Sequence, residues 1–227
     1  MEKGNSNIPN LDQISRFILP IAFLSLMLVF SLTSDSFFSL QNFYNIIANK
    51  VVLLAIVSLG MTIVIAAGGI DLSVGVSVDM SALVFFSLLV VGYSPVLGLA
   101  GGLFAAFLVG SLNAFLINKL QINAFLATLG VLFIGSSTQR LATNGGTPIT
   151  LTTNEYAHIF AAISDTMLLG LALPIWIFIV SSLVVYVVLH KMVFGRYVAV
   201  LGAKPGVALY SGVRVPRELS KVFIYCS

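Results

Sequence analysis

The chain has 227 residues, 59% of them hydrophobic and only 8% charged, with a mean hydropathy of +1.07. Soluble domains carry roughly 25% charged residues, so a water-facing globular enzyme is excluded, and disorder fails because it needs low hydrophobicity and high charge. The natural solvent is a bilayer. The net charge of +3 then reads as the orientation signal of cytoplasmic loops; the expected surrounding is membrane lipid, with no nucleic acid.

A hydrocarbon core of about 30 Å needs roughly 20 apolar residues per helix, with about 17 as a working minimum. Taken in chain order, such runs predict an all-α, polytopic integral membrane helical bundle with about six spans plus the start of a seventh. Residues 1–16 form a cytoplasmic tail. The first span runs from Phe17 to about Leu32, with Pro20 in its first turn, and no small-x-small cleavage site follows it. The second spans Val51 to Ala67 and stops at Gly68-Gly69; the third runs from near Leu72 to Val91. The fourth covers Pro95 to about Ile117, the fifth about Ala124 to Ser137, and the sixth Met167 to Leu189. A seventh opens at Val222. Placing the N-terminus in the cytoplasm puts Lys3, Arg16, Lys119, Lys191, Arg196, Lys204, Arg214, Arg217 and Lys221 inside, leaving Lys50 and Arg140 outside. Residues 141–166 then form an external loop and 190–220 a cytoplasmic segment.

The stretch Ala66-Ala67-Gly68-Gly69-Ile70-Asp71-Leu72-Ser73-Val74-Gly75 reads as a helix stop followed at once by a helix start. Glycines at 68 and 69 can close one helix, and Asp71 can cap the next by accepting from the N–H of Ser73 or Val74. Broken helices of this kind build polar sites in transporters, so Asp71 is either a plain cap or a pathway group. Asp79 lies two turns further on, on a face expected to resemble that of Asp71. A charge near the bilayer centre costs at least ~2.5–3.5 kcal/mol, so Asp79 is expected to face the interior, be protonated, or pair with Ser77, Ser81 or a neighbouring span.

Gly98, Gly102, Ala106, Gly110 and Ala114 recur every fourth residue in the fourth span, a face on which another helix can pack closely. Asn113 borders that face as a bond across helices or a solute contact. In the fifth span Thr128, Gly130, Ser136, Ser137, Thr138 and Gln139 leave a polar edge, which suits either a lined cavity or hydroxyls bonded to their own helix. His158 and His190 lie far apart and outside the spans, and with the single Cys226 they give no metal-ligand spacing. A GxxxxGK[ST] phosphate loop is absent, so no Walker-type ATP site is expected on this chain. In the cytoplasmic segment Pro205 suits a first helical position.

Gly68 through Gly75, Thr128-Leu129-Gly130, Gly145-Gly146-Thr147-Pro148-Ile149, and Phe194-Gly195-Arg196 through Ser211-Gly212-Val213 match, in order, the pattern of permease subunits of bacterial ribose-type ABC sugar importers. The resemblance extends from about Phe37 onward. It implies a non-enzymatic transmembrane subunit of a monosaccharide importer in the bacterial inner (plasma) membrane, paired with a second permease. It also implies two cytoplasmic ATPase subunits that carry the ATP, and a periplasmic or lipid-anchored sugar-binding protein. The implied ATPase-coupling residues are Gly202, Pro205, Ala208, Ser211 and Gly212; Asp71, Asn113, Thr128 and Asp79 are the substrate-pathway candidates. The chain departs from the pattern at Asn123, where proline is common, at Lys204, Gly206 and Val207, and at Asp79, where small or apolar residues are usual. Family members run about a third longer, so the chain is expected to be the N-terminal two-thirds of one permease domain. An ion-coupled secondary transporter, suggested by Asp79, and a truncated, non-transporting permease subunit are the alternatives.

Overall fold

Side-chain caps set where three of the helices begin, Ser39, Ser94 and Asn123 each accepting from a backbone N–H of the helix that follows. The computed structural model describes residues 11–151, 156, 159, 160, 162, 166–203, 205–210 and 212–227. They fall into two units, one ending at Lys50 and one running from Val51 to Ser227.

In the first unit, α1 spans Leu11–Thr33. It starts six residues before the apolar run, so the last six residues of the expected tail are helical and Pro20 sits mid-helix. There proline removes the bond its nitrogen would give to the Arg16 carbonyl. Ser39 caps α2 (Leu40–Ile46) by accepting from the Asn42 N–H at 3.2 Å. A π-helical turn, Ile47–Val51, follows.

The second unit comprises α3 (Val52–Ala66), α4 (Val74–Val90), α5 (Pro95–Asn118), α6 (Ala124–Ala142), a hairpin of β1 (Met167–Leu168) and β2 (Leu171–Ala172), then α7 (Leu173–His190), α8 (Val193–Ala203), α9 (Pro205–Tyr210) and α10 (Val215–Cys226). Ser94 caps α5 ahead of Pro95, and Asn123 caps α6 by accepting from the Phe125 N–H at 2.9 Å. At position 123 the departure from proline thus still starts a helix, by side-chain capping.

Each of the six apolar runs is helical in most of its length, but among the described residues only α5 and α7 are both long and apolar enough to cross a membrane by length and composition. Gly68 ends α3 early, and Ser136 to Arg140 make the second half of α6 polar. The sixth run also starts later than expected. Met167 pairs with Ala172 and Leu168 with Leu171, closing on Leu169 and Gly170, both at positive φ (52° and 80°). A two-residue turn of that hand favours a hairpin over helix, so α7 begins at Leu173. The seventh run starts earlier: α10 opens at Val215, with Pro216 in its first turn.

α4 lies along α5, α10 crosses α5 and α3, α7 follows α3, and α8 touches α3, α7 and α10. The core sits where these meet: Ile63, Val64, Ala67, Ile117, Ala127, Val198, Val222 and Phe223 form one buried cluster. By contrast α7 buries no residue, and its exposed Ile177, Val180, Leu183 and Val184 give it a face suited to lipid or a further subunit.

Candidate functional site: the break between α3 and α4

The chain turns from α3 into α4 through residues 67–73. Gly68 takes φ +80°, a left-handed conformation that L side chains rarely adopt. Its N–H donates to the Ile65 carbonyl at 2.9 Å and that of Gly69 to the Val64 carbonyl at 3.0 Å, satisfying the end of α3. The helix that follows starts only at Val74, so Asp71 precedes it. One carboxylate oxygen, Oδ1, accepts from both the backbone N–H (2.8 Å) and the hydroxyl (2.7 Å) of Ser73.

Ser73 is the hub. While its hydroxyl donates to Asp71, it accepts from the Asn113 side-chain amide of α5 at 2.6 Å. Thr128 of α6 clasps the same loop: its Oγ1 accepts from the Leu72 N–H at 3.2 Å and lies 3.4 Å from the Ile70 carbonyl, while bonding back to Ala124 at 2.9 Å. Asp71, Ser73, Asn113 and Thr128 are each at most 1% exposed. Three elements are therefore tied at one buried polar knot, each link being a hydrogen bond whose loss would strand a buried partner. Two acceptors in the knot, Asp71 Oδ2 and Asn113 Oδ1, have no hydrogen-bond partner among the described residues. The Cys226 thiol lies beside the Asp71 carboxyl.

The break also meets the segment after α7. A Cβ on Gly202 of α8 would fall 2.1 Å from the Ala66 carbonyl oxygen and 3.3 Å from the Gly68 nitrogen; one on Gly68 would fall 3.3 Å from the Gly202 Cα. The two backbones touch there. Of the other coupling candidates, Pro205 opens α9, Ala208 is fully buried, and Gly212 takes φ +74°. Ser211, like Lys204 and His158, lies outside the described residues.

Asp79 stands apart from Asp71. Because Asp71 is not on α4, helical spacing does not align the two. Asp79 is exposed and lines a separate cavity with Gln139 and Thr143. It pairs with neither Ser77, which bonds to the Ser73 carbonyl, nor Ser81. On α5 all five small residues of the stripe are buried. Gly98 and Gly102 lie against α4, where added Cβ atoms would come 3.1 Å from Phe85 and 2.9 Å from the Ser81 carbonyl; Gly110 lies against α10, 2.9 Å from the Ile224 Cα.

Sequence reasoning missed three features: Ser73 as hub, the Gly68–Gly202 contact, and the ties of α10. Those ties are an Asn118–Ser220 hydrogen bond of 2.8 Å and a Glu218–Lys221 ion pair of 2.8 Å. The Lys221–Glu218 spacing of three on an amphipathic helix carried a signal for the pair. Nothing local signalled the contact between residues 134 positions apart.

A helical membrane protein with buried polar side chains knotted at a helix break has the make-up of a multi-pass permease. The chain belongs to the family described as branched-chain amino acid transport system / permease component, whose model matches residues 43–226. It is similar to the ribose import permease protein RbsC of Haemophilus influenzae, 31% identical over 217 residues that cover 94% of this chain and 66% of that one. RbsC of Bacillus subtilis is 32% identical over 200 residues (88% and 60%), and the L-arabinose ABC transporter permease protein AraH of Azospirillum brasilense 32% over 211 residues (93% and 60%). The chain thus spans about two thirds or less of the length of these relatives. No solved structure matches it.

Proposed function

We propose that the chain is the transmembrane subunit of an ATP-driven, binding-protein-dependent importer of a monosaccharide, in a bacterial inner membrane, with its N-terminus in the cytoplasm. The relatives named for ribose and arabinose support the substrate class, and the lysine and arginine asymmetry of the loops supports the orientation. ATP hydrolysis belongs to separate ATPase subunits, a second permease completes the pathway, and a sugar-binding protein docks outside near residues 141–166.

The backbone contact of Gly202 with Ala66 and Gly68 carries the mechanism. In this reading Gly202, Pro205, Ala208, Ser211 and Gly212 belong to the segment that receives the ATPase. Motion of α8 then reaches the break directly, because no side chain intervenes to absorb it. The break moves as a unit, since Asp71, Ser73, Asn113 and Thr128 tie it to α5 and α6. Two arrangements of this knot, biased by the ATPase, would open the pathway on alternate sides. The stripe Gly98, Gly102, Ala106, Gly110 and Ala114 gives α5 the close packing on which that movement levers.

The test is uptake of labelled ribose and arabinose into proteoliposomes holding the chain with an ATPase subunit and a sugar-binding protein. ATP-dependent uptake is expected. Uptake driven by a proton or sodium gradient without ATP would refute the proposal and favour an ion-coupled carrier.

A further inference from the structure

Asp79 of α4, Gln139 of α6, and Thr143 and Thr147 beyond it line a cavity of about 280 Å³, with Phe86 and Pro148 among its apolar walls. The polar groups are mostly acceptors, the Gln139 amide being the exception because its –NH2 also donates. Asp79 makes no ion pair or hydrogen bond with any described residue. The Thr143 hydroxyl donates to the Gln139 backbone carbonyl at 2.8 Å, and that of Thr147 donates to the Thr143 carbonyl. Both hydroxyl protons are therefore engaged within the chain, and what the threonines offer a ligand is lone pairs. Two threonine oxygens, one carboxylate and one amide make a site rich in acceptors.

That chemistry selects its ligand. An anion would meet the Asp79 charge with no cation among the lining residues. Calcium or magnesium wants six or more oxygen ligands and zinc three or four protein ligands, and the described residues hold no cluster of three potential acidic, histidine or cysteine ligands. A neutral molecule dense in O–H donors satisfies the acceptors without either difficulty, and its C–H faces suit the Phe86 and Pro148 walls. Small-molecule pockets run from about 300 Å³ upward, so this volume matches a ligand at the small end of that range, the size of one ring.

We propose that the cavity is a reading site for a single polyhydroxylated ring, a monosaccharide, in which Asp79 accepts from two neighbouring hydroxyls and the threonine oxygens accept from others. The site lies apart from the knot at Asp71, and it gives this chain a specificity residue of its own at position 79. That sugar reaches it from outside rests on the importer reading above; the chemistry of the cavity does not.

The test is direct binding of D-ribose, 2-deoxy-D-ribose and ethanolamine to the full chain in lipid nanodiscs, followed by saturation-transfer NMR. D-Ribose is expected to bind, 2-deoxy-D-ribose several-fold more weakly, and Asp79→Leu to weaken D-ribose at least tenfold. Asp79→Asn, which keeps one acceptor, is expected to retain part of the affinity, and Thr147→Val to lose several-fold. Because Asp79 bonds to no described residue, the two Asp79 variants should melt with the parent chain, which is checked in parallel. Equal D-ribose binding in Asp79→Leu, no D-ribose binding to the parent chain, or ethanolamine displacing ribose would each overturn the proposal. Failure of ATP-driven uptake with ribose binding intact would overturn the importer reading and leave this site standing. ATP-driven uptake with ribose binding unchanged in Asp79→Leu would do the reverse.

Discussion

Replacing Gly202 by alanine is the sharpest probe of the α8–break contact. The new methyl would start 2.1 Å from the Ala66 carbonyl oxygen, about 1.3 Å short of an ordinary 3.4 Å contact, and the obstacle is backbone, which cannot rotate away. The end of α3 and α8 must therefore part by about that distance. Overpacking of this kind costs about 1–3 kcal/mol, and in a chain of this length each kcal/mol lowers the melting temperature by roughly 2–4 °C. The single cysteine, Cys226, is buried, so a thiol-reactive dye that fluoresces on labelling reports unfolding in detergent without added probes. Gly206→Ala in α9 is the matched control, because no atom of the described residues lies within 4 Å of its added Cβ. Alanine there should gain about 0.5–1 kcal/mol of helix preference. Gly202→Ala is expected to melt several degrees below the parent and Gly206→Ala at or above it. If the two variants melt together, backbone contact at Gly202 is not what holds α8 to the break.

Three further outcomes follow from the same geometry. Asn113→Leu removes the donor that Ser73 accepts from in a fully buried setting and should cost about 1–3 kcal/mol; a melt within experimental error of the parent would show the knot to be dispensable for stability. Gly110→Leu inserts a side chain where even a Cβ meets α10 at 2.9 Å, so α10 should lift and Cys226 should label at least several-fold faster in the native state. An unchanged labelling rate would contradict that docking. Lys221→Met strips the partner from Glu218, which is only 6% exposed. Since Lys221 itself is about a third exposed, the loss is expected near 1–2 kcal/mol, below the ~3–5 of a fully buried pair; a melt matching that of the parent would refute it.

What was legible in the sequence was what depends on neighbours in the chain. Apolar run length located the six helical stretches, and the fourth and fifth begin at Pro95 and Ala124 as expected, although the Ser94 and Asn123 caps that start them went unread. The Gly68–Asp71 break was legible for the same reason, since a positive-φ glycine and an Asx side chain act on their own backbone. The hairpin at Met167–Ala172 was hidden, because Leu-Leu-Gly-Leu carries no polar turn signal and a leucine had to adopt φ 52°. Asp79 was misplaced through treating Asp71 as part of α4, when one irregular turn separates them and cancels the helical phase. The Gly68–Gly202 contact was illegible in principle: nothing near either glycine reports on a partner more than a hundred residues away.

The two carboxylates of this region divide its work by how they are solvated. Asp71 keeps its place because the chain itself supplies donors, the N–H and hydroxyl of Ser73, so its charge is absorbed into the framework and moves only when the framework moves. Asp79 has no such donors among the described residues and faces a cavity. A carboxylate left so in an apolar span is costly, and that cost falls whenever a ligand brings hydroxyls to it. The first arrangement suits a joint that must transmit displacement without changing its bonds. The second suits a surface that must exchange its bonds each time a solute passes. Swapping the roles is a stringent check on that division. Asp71→Asn should disturb the melting temperature more than ribose binding, because an amide cannot accept both Ser73 donors as strongly. Asp79→Asn should leave the melting temperature alone and weaken binding. Both variants shifting the same quantity would mean that solvation does not separate their functions.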